Sequence, residues 1–325
     1  MRHLLRCLLP RRGRPRLVLH VGTHKTGTTA IQTTLRDNRA ALARAGLCYP
    51  DPAREPHPHL PAHNFIYRAT LNGAEAMAAE RDRIMAEFRA SGADHLILSE
   101  EGLSLPRDVL QDFFVPWSQD FDFEIVCFLR RQDRYAESLF SQYVRENKPI
   151  AHGTIEAFLA APEIAERLDY DTNLQRWDGF GPVHAVNYDL LKGTELCKPI
   201  LAAAGTSVRL SPSPQSNVSP PAGVIEVIRH MNRQGLDYAL RPLVARLRSD
   251  PPEVLQGLFA RRSMMGSVLR AEFMSGLAGV NARLADNRGV VFPADMPDEP
   301  EGAFHTDLDP DLVAKLAADS RQDAK

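Results

Sequence analysis

Residues 16–29, RLVLHVGTHKTGTT, set an apolar run directly before two glycines, Gly22 and Gly27, and a threonine pair. No other feature constrains the fold as much. The apolar run ending at glycine suits a buried strand, and residues 28–45, TTAIQTTLRDNRAALARA, continue with helical periodicity. A strand, glycine loop and helix in that order make an anion site from the backbone N–H groups of residues 23–29 and the helix N-terminus. Thr28 and Thr29 add hydroxyl donors, and Lys25 points into the cradle from within it. The glycine spacing is that of G-x-x-x-x-G-K-[ST], yet Thr28 stands where that signature needs lysine.

The same alternation recurs downstream. GLCYPDP (46–52) reads as a short strand, 73–91 as a helix, HLILSEEGLS (95–104) as a strand ending at Glu100 and Glu101, and FEIVCFLRR (123–131) as a strand followed by the helical DRYAESLFSQYVRE. A helix around 154–178 then precedes the strand PVHAVNYDLL (182–191). This predicts an α/β chain: a three-layer fold with a central, mostly parallel sheet flanked by helices. In such sheets ligands bind beyond the carboxyl ends of the strands, where the Gly22 loop, Glu100, Glu101 and Arg130 all fall.

Residues 222–285 are helical in pattern and read as a C-terminal lobe packed on the sheet, so 16–295 is expected to be one domain. Residues 1–15, with their repeated arginines, read as a disordered basic arm, with weak attraction to anionic lipid as the alternative. Residues 296–325 read as an acidic, partly disordered tail with one amphipathic stretch, DLVAKLAADS. With 39 Lys+Arg against 41 Asp+Glu there is no basic excess to suggest nucleic acid as a partner. No segment approaches the roughly 18 apolar residues of a membrane span. Four scattered cysteines point to reduced thiols and a cytoplasmic setting.

LHVGTHKTGTTAIQ resembles the 5′-phosphosulfate-binding loop of the sulfotransferases, whose core K-[TS]-G-T-T is complete here as Lys25-Thr26-Gly27-Thr28-Thr29. The resemblance implies a P-loop-type fold and transfer of a sulfuryl group from 3′-phosphoadenosine 5′-phosphosulfate (PAPS) to a hydroxyl or amine. It implies a donor site over Thr23, His24, Lys25, Thr26, Gly27, Thr28 and Thr29, with Lys25 on the bridging and sulfuryl oxygens and Thr28 and Thr29 on the 5′-phosphate. A sulfuryl group carries less charge than a γ-phosphoryl, so one cation at the leaving oxygen suffices and no metal is expected. The family's second motif, R-[ND]-P-x-x-R-x-x-S, is similar to RRQDRYAES, which places Arg130 eight residues before Ser138 and implies that both hold the 3′-phosphate. Arg131 and Gln132 replace Asn/Asp-Pro, and Arg134 comes one position early; Arg131 is a further candidate for that phosphate.

Carbohydrate sulfotransferases resemble one another in placing a glutamate base just past a strand, which makes Glu101 and Glu100 candidates, Glu101 fitting Ser-x-Glu better. Features such as LDYDTNLQRW, VNYDLL, SNVS and NARLADN extend the likeness to bacterial sulfotransferase-like proteins over most of residues 16–292. Tyr188-Asp189 resembles the family's Tyr-Glu-Asp strand end and reads as a structural tyrosine tying down the sheet edge, with donor contact as the alternative, and ARRSMMG (260–266) is a loose match to the family's late basic loop through Arg261 and Arg262. The loop HPHLPAH supplies His57, His59 and His63; its prolines disfavour a convergent metal site, so it reads as a polar or acceptor-facing loop, with His63-Asn64 the best pair. The expected partner is a glycan or small-molecule acceptor. The alternatives are a P-loop nucleotide kinase and a non-catalytic module that binds the nucleotide or a sulfated glycan.

Overall fold

In a computed structural model of the protein, strands β1 (Arg16–Gly22), β2 (Leu47–Cys48), β3 (His95–Ser99), β4 (Asp122–Leu129) and β5 (Val183–Asn187) form one all-parallel sheet in the order β2-β3-β1-β4-β5. The structure describes residues 13–53, 60–213, 220–259, 263–294 and 307–324. The main helices are α1 (Thr28–Asp37), α2 (Arg39–Arg44), α3 (Asn64–Leu71), α4 (Ala74–Ser91), α5 (Gln132–Arg145), α6 (Lys198–Ala203), α7 (Ala222–Arg233), α8 (Leu240–Ser249) and α9 (Pro310–Gln322). Among the described residues no helix is long and apolar enough to cross a membrane.

The chain divides into two compact units. One comprises Met1–Leu129, Tyr170–Gln215 and Asn287–Val290; the other comprises Arg130–Asp169, Ser216–Asp286 and Val291–Lys325.

The first unit holds the whole sheet. Side chains alternate along β1, so Val18 joins Ile97, Val126 and Phe128 on a face covered by Ile31 and Leu35 of α1, Leu42 of α2, and Ile200 and Leu201 of α6. The opposite face meets an aromatic cluster in which Phe114 packs edge-on to Phe123, Trp117 and Trp177, and Phe88 of α4 joins through Phe121. Helices on both faces are what a parallel sheet requires, because its strands are apolar on both sides. The periodic stretch 28–45 breaks into two helices at Asn38. That side chain donates to Thr34 O at 2.8 Å and pairs with the backbone of Ser211 in both directions, competing with the helical ladder.

In the second unit, Leu139, Phe140 and Val144 of α5 share a core with Ile225 and Ile228 of α7, Leu243 and Leu247 of α8, and Val313 and Leu316 of α9. The helical lobe is therefore larger than the expected 222–285: it takes in α5 and the short helices Ile155–Leu159 and Pro162–Leu168, and the amphipathic stretch of the tail supplies α9. The single helix expected over 154–178 is broken, with Pro162 starting a new turn after Ala161.

Candidate functional site

β1 lies at the centre of the sheet; the chain runs from it to β2 and β3 on one side and then crosses to β4 and β5 on the other. The carboxyl end of β1 is thus a topological switch point, the place where open α/β sheets form a ligand crevice. The loop Gly22–Gly27 starts there.

Its backbone is fixed by its own threonines. Thr23 donates through N–H and hydroxyl to Phe128 O on β4, at 2.8 and 3.1 Å, and the Thr26 hydroxyl donates to Thr23 O at 2.5 Å. The hydroxyls of Thr23 and Thr26 are therefore committed to the scaffold. Gly27 enters α1 with φ 70°, and a Cβ there would sit 3.0 Å from the Tyr188 ring. Lys25 is half-buried and adopts φ 65°, a left-handed conformation uncommon outside glycine that concentrates at functional sites. Thr28 begins α1 and is buried, whereas Thr29 is exposed. The N–H groups of the first helical turn have no intrahelical acceptor to find, since the ladder starts with Ile31 N–H donating to Gly27 O.

The two adjacent glutamates part company. Glu100 is extended, and its carboxylate turns back to cap the short 3-10 turn Glu101–Ser104, accepting from Gly102 N–H at 2.9 Å. It is buried, and burial above all pushes its pKa up to about 8, with the Glu101 charge adding and Gly102 and Arg68 opposing. Glu101 projects to the other side, onto the loop. Its Oε2 accepts from the Thr28 hydroxyl, and its Oε1 lies 3.8 Å from His24 Nε2. The fit is close: a Cβ on Gly22 would stand 3.1 Å from Glu101 O. Of the predicted residues in this unit, the fold therefore joins His24, Thr28 and Glu101, and it leaves Glu100 inside.

His20 is a core residue; burial lowers its pKa to about 3, and Nδ1 lies 2.7 Å from Ser99 Oγ. His63, read as part of a polar or acceptor-facing loop, is buried instead. Its Nδ1 accepts Ser99 N–H, which leaves the proton on Nε2 to be donated to Pro50 O at 3.1 Å. His57 and His59 lie outside the described residues, as do the SNVS segment, Arg261 and Arg262. Among the described residues no group of three or more His, Cys, Asp or Glu side chains is placed to hold a metal.

In the second unit, Arg130 and Ser138 are both half-buried, Arg130 immediately following β4 and Ser138 lying on α5. Arg131, a candidate to share a phosphate, is committed elsewhere: it forks onto Asp133 at 2.7 and 2.8 Å and donates to Pro293 O. Asp133 also accepts from Arg270, and Arg270 lies 3.1 Å from Glu137. Glu137 in turn accepts the N–H groups of Met264 and Met265 at 2.8 Å, tying the described end of the 260–266 segment to α5.

Comparison with protein-family models returned no matching family, and comparison with curated proteins returned no match. The site stands on its own geometry. Two of its features escaped the sequence reading: the Tyr188 ring over Gly27 and the Thr28–Glu101 hydrogen bond. Tyr188 directly follows the carboxyl end of β5, and that position was its available signal.

Proposed function

We propose that the protein is a PAPS-dependent sulfotransferase of P-loop type, acting in the cytoplasm on a hydroxyl or amine of a glycan or small-molecule acceptor. The observation that carries the reading is the carboxylate of Glu101 seated against a glycine loop that also holds Lys25, at the switch point of a parallel sheet.

In the proposed reaction the acceptor oxygen attacks sulfur in line, forming an O–S bond, while the bond between sulfur and the bridging oxygen of the 5′-phosphate breaks. That electron pair stays on the phosphate, so 3′,5′-adenosine bisphosphate leaves, and the acceptor proton passes to Glu101. Lys25 meets the charge developing on the bridging oxygen. The loop and α1 N–H groups with Thr29 take the 5′-phosphate, and Arg130 with Ser138 takes the 3′-phosphate, Arg130 as a two-pronged donor. The bisphosphate roles of Arg130 and Ser138 rest on their sequence spacing.

Calorimetry with 3′,5′-adenosine bisphosphate against ADP with Mg²⁺ tests the donor class, and preference for ADP would reject it. Transfer of labelled sulfate from PAPS into a lysate-derived glycan and lipid pool tests catalysis. It should vanish in Lys25→Ala, and binding without transfer to any pool points to a sensor.

A further inference from the structure

Both oxygens of the Glu101 carboxylate face residues of the glycine loop: Oε2 accepts from Thr28 Oγ1, and Oε1 is 3.8 Å from His24 Nε2, an electrostatic neighbour beyond hydrogen-bond range. Thr28 is buried at the first position of α1, and Glu101 is held in place by the backbone contact at Gly22 and by Ser104, whose hydroxyl donates to Glu101 O at 2.8 Å. These contacts fix the backbone of Glu101 beside the loop, and the Thr28 hydroxyl is what holds its carboxylate there.

A threonine hydroxyl carries one proton, so it donates to one acceptor at a time. If Thr28 gave that proton to a 5′-phosphate, Glu101 Oε2 would face the phosphate charge with its donor withdrawn. The exposed Thr29 and the first-turn N–H groups can serve the phosphate without that conflict.

We propose that Thr28 is the positioning residue of the base: its hydroxyl orients Glu101 toward the acceptor, and the phosphate is held without it. This rests on the sulfotransferase reading and departs from the assignment of both threonines to phosphate. An unanchored carboxylate beside a polyanion would rotate away from it, and the hydroxyl prevents that while leaving Oε1 3.8 Å from His24 Nε2.

The test compares Thr28→Val, which keeps shape and removes the hydroxyl, with Thr28→Ser, which restores it. Calorimetry measures 3′,5′-adenosine bisphosphate affinity, and labelled PAPS turnover, to water or to the glycan and lipid pool, gives kcat and KM. Thr28→Val should bind the bisphosphate within about twofold of wild type, whereas losing a hydrogen bond to a charged phosphate costs about tenfold or more. Its kcat should fall by about tenfold or more with KM for PAPS little changed, and Thr28→Ser should recover it. A tenfold loss of affinity with kcat retained overturns the proposal. If wild type binds the bisphosphate but turns nothing over, affinity alone decides: retained binding in Thr28→Val keeps the hydroxyl off the phosphate, and lost binding overturns the assignment. Failure of wild type to bind the bisphosphate rejects the sulfotransferase reading itself.

Discussion

His63 Nδ1 accepts the backbone N–H of Ser99 at 3.0 Å, while His63 N–H donates to Ser99 O at 2.9 Å, so one residue pairs with the last position of β3 as an extra strand would. The same ring donates to Pro50 O and packs at a tilt against Tyr49, with ring centroids 4.3 Å apart, which joins the segment after β2 to the end of β3, next to the two glutamates.

His63→Ala should therefore act on stability. It removes a fully buried ring and strands the Ser99 N–H, a combination expected to cost about 2–4 kcal/mol. His63→Asn, whose amide oxygen can reoccupy the acceptor position, should recover part of the loss. Urea denaturation followed by circular dichroism measures both, and an alanine variant as stable as wild type would contradict the structural role.

Glu100 makes stability depend on pH in the sense opposite to a salt-bridged acid. Its folded pKa is raised from 4.5 to about 8, so the folded chain keeps a proton that the unfolded chain has lost. Stability contributed by this group is present below pH 4.5 and declines as pH rises toward 8, by at most about 1.4 kcal/mol per pH unit. Glu100→Gln, neutral throughout, should flatten that decline in denaturation curves taken across the window. An unchanged slope would mean that Glu100 ionises as easily folded as unfolded.

Asp133 behaves the other way. Burial alone would raise its pKa, but hydrogen bonds and charge from Arg131 and Arg270 prevail and hold it below 3.8. Its contribution is present above pH 3.8 and is lost as pH falls through the lower folded value. Asp133→Asn would leave two buried guanidinium groups with a neutral partner and should cost about 3–5 kcal/mol near neutral pH. That difference should shrink in acid, and denaturation at the two pH values reports it.

Much of the fold was legible because its signals are local. The apolar runs at 16–22, 95–99 and 122–129 each end at a turn, and buried parallel strands leave that pattern in the chain. Glu101 was legible as a strand-end carboxylate, but its separation from Glu100 depends on an extended residue alternating direction and on the Glu100 side chain capping Gly102 N–H, which composition does not encode. His63 sat in a proline- and histidine-rich loop that reads as solvated, and only long-range pairing with Ser99 makes it structural. Arg131 reads as a phosphate ligand in the sequence, and only the folding of Asp133, two residues along the same chain, back onto it commits it elsewhere. The helical unit was hardest to read, since α5 and α9 come from far-apart segments and their common core is set by tertiary contact.

The central place of β1 also shapes how the protein is made. Its neighbours, β3 and β4, are residues 95–99 and 122–129, so the nascent chain exposes LVLHV with both edges open until residue 99 has emerged, and with the β4 edge open until residue 129 has. Non-local pairing of this kind is slow, and an open apolar edge invites pairing with other chains. Synthesis of this chain therefore passes through an interval in which its first strand has an unpaired apolar edge, and the interval ends only when β4 has emerged to pair with it.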